Sequence, residues 1–229
     1  MRRKKNLIPR MERCSAWQIK NPADFRGRWR EKLSLSPSAP LHLEIGCGKG
    51  GFACGMASAL PEVTFLAMER INEALVVGLE RAAKEDLKNV FFISGDAADL
   101  LEWFAPGEID RIYLNFSDPW PPKKRAKRRL THEHFLEAYK IILVEQGDIH
   151  FKTDNKDFFA YTLNTLSAAD FKLSNITFDL HADDIFNIRT EYEEKFAAQG
   201  LPIYRVEAKK RAGTLKQEPD SPQAEENKI

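Results

Sequence analysis

The chain has 229 residues, 43% of them hydrophobic and 10% aromatic, with a formal net charge of +1. These values suit one globular domain with a sizeable core and argue against a collagen-like, wholly disordered or membrane-spanning chain. Its three cysteines form no Cys-x-x-Cys and no His or Cys falls at ligand spacing, so neither a disulfide framework nor a metal site is expected, and a cytoplasmic location is.

The small net charge averages unlike regions. Residues 1–30 hold ten Lys or Arg against only Glu12 and Asp24, and residues 123–129 hold six cations and no acid. Met1-Arg-Arg-Lys-Lys runs into Asn6-Leu-Ile-Pro9 rather than a long apolar stretch, so no secretion leader is expected. Residues 1–40 read as a basic N-terminal arm and linker, since they lack an apolar period and end in Ser34-Leu-Ser-Pro-Ser-Ala-Pro40.

Regular alternation follows over 41–212. Leu41–Ile45 predicts a strand, Gly50–Leu60 a helix stopped at Pro61, Val63–Met68 a second strand, and Asn72–Leu87 an amphipathic helix with Asn72 as cap. Val90–Ser94 is a third strand, Ala98–Phe104 a short helix, and Arg111–Phe116 a fourth strand. Thr131 is placed to cap a helix running to about Glu145 and ended by Gly147; Asp148–Lys152 is the fifth strand and Asn155–Ala169 the next helix. Phe171–Phe178 and Ile203–Glu207 alternate apolar and polar residues and are expected to pair antiparallel. Residues 213–229 are polar and aperiodic, and disorder is expected there. Strands joined by helical crossovers imply a parallel sheet covered on both faces, binding ligands beyond its carboxyl ends.

At the first such end stands Glu44-Ile-Gly46-Cys-Gly48-Lys-Gly50-Gly51. Glycines there let the backbone turn sharply and let a ligand approach the amides. This pattern alone is shared by NAD-binding and methyl-donor-binding enzymes. Glu69 closes the second strand, where a carboxylate can accept both ribose hydroxyls of an adenosine, and Asp96 follows the third, where it can meet an adenine amino group. Glu44 favours S-adenosylmethionine, because a carboxylate beside the loop repels a pyrophosphate and balances an ammonium and a sulfonium.

The fourth strand leads into Asn115-Phe-Ser-Asp118-Pro-Trp120-Pro-Pro-Lys-Lys-Arg-Ala-Lys-Arg-Arg129-Leu, a carboxylate and an aromatic followed by a cationic strip. Asp118 is the expected catalytic group. Lys123, Lys124, Arg125, Lys127, Arg128 and Arg129 are expected on the phosphates of a nucleic acid. Trp120 is equally suited to stack on a base or to brace the turn.

These motifs, together with Lys127-Arg-Arg-Leu-Thr131, Phe151-Lys-Thr-Asp154 and Arg189-Thr-Glu-Tyr-Glu193, resemble the bacterial tRNA (guanine-N7)-methyltransferase family, in order from about Leu41 to Lys209. The resemblance implies a Rossmann-like class I S-adenosylmethionine-dependent fold, with a mostly parallel seven-stranded sheet, an antiparallel last strand and helices on both faces. It implies methyl transfer from S-adenosylmethionine, without a metal, to N7 of a guanosine in the variable loop of tRNA, by a monomer or homodimer. It further implies donor contacts at Glu44, Gly46, Gly48, Glu69, Asp96 and Asp118, and substrate contacts at Asp154, Thr190, Glu191, Tyr192 and Glu193. One departure stands out: Pro122 holds the place of a substrate-contacting lysine, which Lys123 can fill by a shift of one position.

Three other readings compete. An NAD-linked oxidoreductase lacks a clear hydride-site His or Lys and is opposed by Glu44. A non-catalytic RNA-binding module would have lost the donor acids, all of which are present. A DNA amino-methyltransferase carries Pro-Pro-aromatic after its polar residue, whereas here Trp120 intervenes.

Overall fold

A computed structural model describes residues 6–212 except Pro122 and Asp184, with Lys123 described only through its backbone. The expected disordered tail at 213–229 therefore lies outside the described residues, as do Pro122 and the Lys123 side chain.

The chain opens with helix α1 (Leu7–Arg13), a two-residue strand β1 (Gln18–Ile19) and a short helix α2 (Trp29–Lys32). Then come β2 (Leu41–Ile45), α3 (Gly51–Ala59), β3 (Thr64–Glu69), α4 (Asn72–Lys84) and β4 (Val90–Ser94). They are followed by α5 (Leu100–Trp103), β5 (Ile109–Asn115), α6 (Glu133–Ile142), β6 (Leu143–Thr153) and α7 (Lys156–Ala168). The chain closes with β7 (Phe171–Thr177), α8 (Glu191–Ala197) and β8 (Tyr204–Lys210). The strands form one sheet in the order β1-β4-β3-β2-β5-β6-β8-β7. All its pairs are parallel except those of β8, which runs antiparallel to both neighbours, as the sequence led one to expect for the last strand.

Among the described residues the sheet has eight strands rather than seven, and the extra one comes from the segment expected to be an arm. Gln18 and Ile19 pair with Phe92 and Ile93. Trp29 is wholly buried, stacks on Phe104 and donates from Nε1 to the Trp103 carbonyl at 2.9 Å. Arg30 reaches Asp110 at 2.7 Å, and the same carboxylate oxygen accepts from the Leu41 amide. This segment has no apolar period because it docks single large side chains onto an existing core through short turns.

Two helix ends also differ from expectation. Ile71, not Asn72, caps α4: the Ile71 amide donates to Glu69 Oε1 at 2.8 Å, while Asn72 Oδ1 accepts from Ser94 Oγ. Helix α6 is capped by His132 and stops at Ile142, because the Ile141-Ile-Leu-Val144 run turns directly into β6 and carries Gly147 inside that strand. Thr131 is instead buried against Thr162 at 2.9 Å.

Period-two alternation divides the sheet. Leu41, Leu43 and Ile45 join Ile112, Leu114, Ile149 and Phe151 in one apolar core. Phe65, Ala67 and Phe92 pack with α3 and α4 on the opposite side. On that opposite side of β2, β5, β6 and β8 the floor is polar, with Glu44, Tyr113, His150 and Glu207 in register across the strands. Among the described residues no helix is long and apolar enough to cross a membrane.

Candidate active site

The carboxyl ends of β2, β3, β4 and β5 open into one cleft of about 630 Å³. Gly46, Glu69, Asp96, Ser117, Asp118 and Trp120 line it, with Lys127 and Arg128 at its rim. Gly46 adopts φ +81° and a Cβ there would meet nothing within 4 Å, so the backbone conformation itself calls for glycine and leaves an open floor. The loop is tied down behind it, with the Gly46 and Cys47 amides donating to the Met68 carbonyl at 2.8 and 2.9 Å.

Glu69 serves two backbone donors, Gly48 N–H at 3.0 Å and Ile71 N–H at 2.8 Å, which leaves lone pairs on both oxygens for a ligand. Asp96 caps the turn at Ala97–Asp99 and meets Arg70 at 3.4 Å. Glu69, Asp96 and Asp118 are thus brought together on one cleft, and this donor set suits a cationic nucleoside with ribose hydroxyls to bind.

Glu44 is placed differently from expectation. It is 2% exposed, accepts from Asn115 Nδ2 at 2.9 Å on the polar floor, and is not among the residues lining the cleft. Burial pushes its carboxyl up to about 7 against the lowering pull of the Asn115 hydrogen bond and Lys152. Because the folded value exceeds the ordinary 4.5, the folded state holds the proton longer, and stability falls as pH rises through this interval. Glu44→Gln should therefore be more favourable at pH 8 than at pH 5, by about 1–3 kcal/mol in urea unfolding. Equal effects at the two pH values would contradict this.

The turn after β5 bends sharply at both ends. Phe116 and Trp120 adopt φ +52° and +41°, a left-handed conformation that costs non-glycine residues about 1–3 kcal/mol each. The Phe116 amide donates to the Lys152 carbonyl at 2.9 Å, which anchors the first bend. Asp118 is exposed on the turn. Tyr192 packs its ring 5.3 Å from Phe116, and burial together with the nearby Asp154 and Asp118 carboxylates raises its hydroxyl pKa. The expected substrate residues Asp154 and Tyr192 therefore gather beside Asp118.

Their neighbours have other partners. The Thr190 hydroxyl caps α8, accepting from the Glu193 amide at 2.9 Å. Glu191 is ion-paired with Arg81, and its carboxylate rests on Gly51 at the start of α3, where any Cβ would collide. Glu193 is wholly buried, with Lys152 Nζ at 2.7 Å, Asn187 Nδ2 at 2.6 Å and His181 Nε2 at 2.9 Å. It is a buried strut whose carboxylate is already taken up by these three partners.

The basic strip also divides. Lys124, Arg125, Lys127 and Arg128 are turned outward, and Arg128 and Arg125 lie 4.9 and 5.9 Å from the Trp120 ring centre, so that indole is faced by guanidinium. Arg129 turns inward, to the carbonyls of Pro119 and Trp120. Sequence reasoning missed the parts played by Lys152, Arg81, His181 and Asn187. A lysine inside a buried strand was the one available signal, since lysine is almost never buried unpaired.

Comparison with known proteins shows the family. Residues 38–206 match the model of a family described as "Putative methyltransferase". A tRNA (guanine-N(7)-)-methyltransferase of Listeria monocytogenes serotype 4b is 50% identical over 201 residues, 87% of this chain and 93% of that protein. One from Halalkalibacterium halodurans is 49% identical over 83% of this chain and 86% of its own length, and one from Lactococcus lactis subsp. cremoris 47% over 83% and 88%. Among solved structures, an antibiotic-related methyltransferase superposes with a TM-score of 0.60 at 16% identity, covering 80% of this chain and 92% of its own. The 16S rRNA methyltransferase KamB does so with a TM-score of 0.58 at 12% identity, covering 78% and 91%. The latter two establish the class I methyltransferase fold; with near-50% identity over most of its length, the chain belongs to the bacterial tRNA (guanine-N7)-methyltransferase family.

Proposed function

We propose that this protein transfers a methyl group from S-adenosylmethionine to N7 of a guanosine in the variable loop of tRNA, in the cytoplasm and without a metal. The observation that carries the reading is the meeting of Glu69, Asp96 and Asp118 on one cleft whose rim bears Lys127 and Arg128. S-adenosylmethionine, when bound, supplies an electrophilic methyl group on a sulfonium. Glu69 and Asp96 are the groups to hold its ribose and adenine, and Gly46 leaves room for its body. Glu44 lies buried behind the cleft, held by Asn115.

Guanine N7 presents a lone pair and no proton, so the site needs no strong base. Its task is to align the purine in line with the methyl group and to favour the positive charge that develops on the ring. We assign the second role to Asp118. Asp154 is suited to accept from the guanine N1–H and N2–H₂, and Tyr192 to close over the ring. Calorimetry should detect uptake of S-adenosylmethionine and not of NAD; uptake of NAD alone would overturn the reading.

The outward cations Lys124, Arg125, Lys127 and Arg128 are assigned to tRNA phosphates. Replacing the four with Ala should flatten the plot of log affinity for tRNA against log salt by about 0.7–0.9 for each phosphate left without its cation. An unchanged slope would make the strip an ordinary solvated face.

A further inference from the structure

The last cation of the basic strip points the wrong way for RNA. Arg129 Nε donates to the Pro119 carbonyl at 2.8 Å and Nη2 to the Trp120 carbonyl at 3.2 Å. Its guanidinium lies 4.2 Å from the Tyr161 ring centre and 5.7 Å from that of Phe158, both on α7. The side chain is thus clipped between a helix of the core and two successive carbonyls of the turn that carries Asp118.

That turn needs such a support. Its two bends, at Phe116 and Trp120, sit in left-handed backbone that neither residue favours. The first bend is secured by the Lys152 carbonyl. Arg129 secures the second. Only a planar guanidinium can reach two carbonyls at once while stacking on a ring; a lysine ammonium keeps the charge and loses the fork.

We propose that Arg129 is a positioning residue for the proposed reaction: it fixes the Asp118-Pro119-Trp120 turn against α7 and so sets where the Asp118 carboxylate stands over the cleft. This rests on the reading of Asp118 given above. The basic run is then two devices in one sequence, an outer set facing tRNA and one inner clamp.

The test compares Arg129→Lys, Arg129→Ala and Tyr161→Leu with Lys127→Ala in the full-length protein. Turnover of tRNA, tRNA affinity with its salt slope, and hydrogen exchange of the amides between Phe116 and Trp120 are measured. Both Arg129 variants should lose about 10–100-fold in kcat, as expected for a misplaced reacting group, with tRNA affinity held within about twofold and the salt slope unchanged. Exchange in the turn should quicken, and Tyr161→Leu should move kcat and exchange in the same direction. Lys127→Ala should change the salt slope and leave exchange in the turn as it was.

Two results would overturn the proposal. One is an Arg129→Lys variant as active as the parent, with Arg129→Ala weakening tRNA binding and flattening the slope by about 0.7–0.9. The other is turn exchange unaltered in every Arg129 variant. Should Arg129→Ala fail to fold, Arg129→Lys and Tyr161→Leu decide the question. If the parent forms no 7-methylguanosine, the reading of Asp118 fails, whereas the exchange data still report on the clamp.

Discussion

Asp118→Asn is expected to lower kcat for tRNA methylation about 100–1,000-fold while shifting donor affinity by less than about threefold, a loss of about 3–4 kcal/mol confined to the transition state. The asymmetry follows from where the charge goes. Before transfer the positive charge sits on sulfur, and afterwards it sits on the purine, so a carboxylate nearer the purine than the sulfur gains from the second arrangement. Asn retains the shape and the hydrogen-bond acceptor, and removes only the charge. Glu69 and Asp96 continue to hold the nucleoside half of the donor, which is why affinity should barely move. Single-turnover kinetics with saturating donor gives the rate directly. Full activity in Asp118→Asn would remove this side chain from the chemistry.

The second large effect is on stability. Glu193→Ala should cost about 3–5 kcal/mol, because it strands the Lys152 ammonium inside the protein with its counter-charge gone. Lys152 is 4% exposed and Glu193 not at all, with Nζ and Oε2 2.7 Å apart. Nζ also reaches Asn187 Oδ1 at 2.7 Å and the Ile188 carbonyl at 3.0 Å, so the pair ties the segment before α8 to the centre of the sheet. Burial alone would push the Glu193 carboxyl up. Lys152, helped by the hydrogen bonds from His181 and Asn187, more than offsets this and holds it below the ordinary carboxylate range. Its contribution is thus present above the unfolded value of 4.5 and is lost as pH falls through the lower folded value. Wild type should lose more stability than Glu193→Ala on acidification below about pH 4.5. An unchanged urea midpoint at pH 7 would show that the strut carries little. Since Tyr192 stands next to Glu193, a variant that folds should also bind tRNA less well.

The parts of the fold that could be read from the sequence are those that obey a period. β2, β3 and β4 are short, largely apolar runs bounded by glycine or acidic turns, as parallel strands buried on both faces must be. For the same reason Glu69, Asp96 and Asp118 could be placed at strand ends facing one cleft. β1 could not, since two residues have no period and Ile19 joins a core supplied mainly by residues far along the chain.

The site was legible in its composition more than in its geometry. Alternation in β2 already separated His42 and Glu44 from Leu41, Leu43 and Ile45, yet nothing local says which face opens on the cleft. The carboxylate that argued most for a sulfonium donor is consequently behind the loop, held by Asn115. Thr190-Glu-Tyr-Glu193 is both a family signature and a capping box, Thr and Glu three residues apart at a helix start. The capping box turns Thr190 and Glu193 to the helix end and Arg81 takes Glu191, which leaves Tyr192 as the exposed side chain of the four that faces the Asp118 turn. Arg129 belongs to a run of like charges, and it faces inward because of partners outside that run, the Pro119 and Trp120 carbonyls and Tyr161 on α7.

The most direct test of the central claim is nucleoside analysis of an unmodified tRNA transcript after incubation with the purified protein and methyl-labelled S-adenosylmethionine. The label should appear in 7-methylguanosine, and in the fragment containing the variable loop. Label in any other nucleoside, or none despite saturating donor, would contradict the assignment.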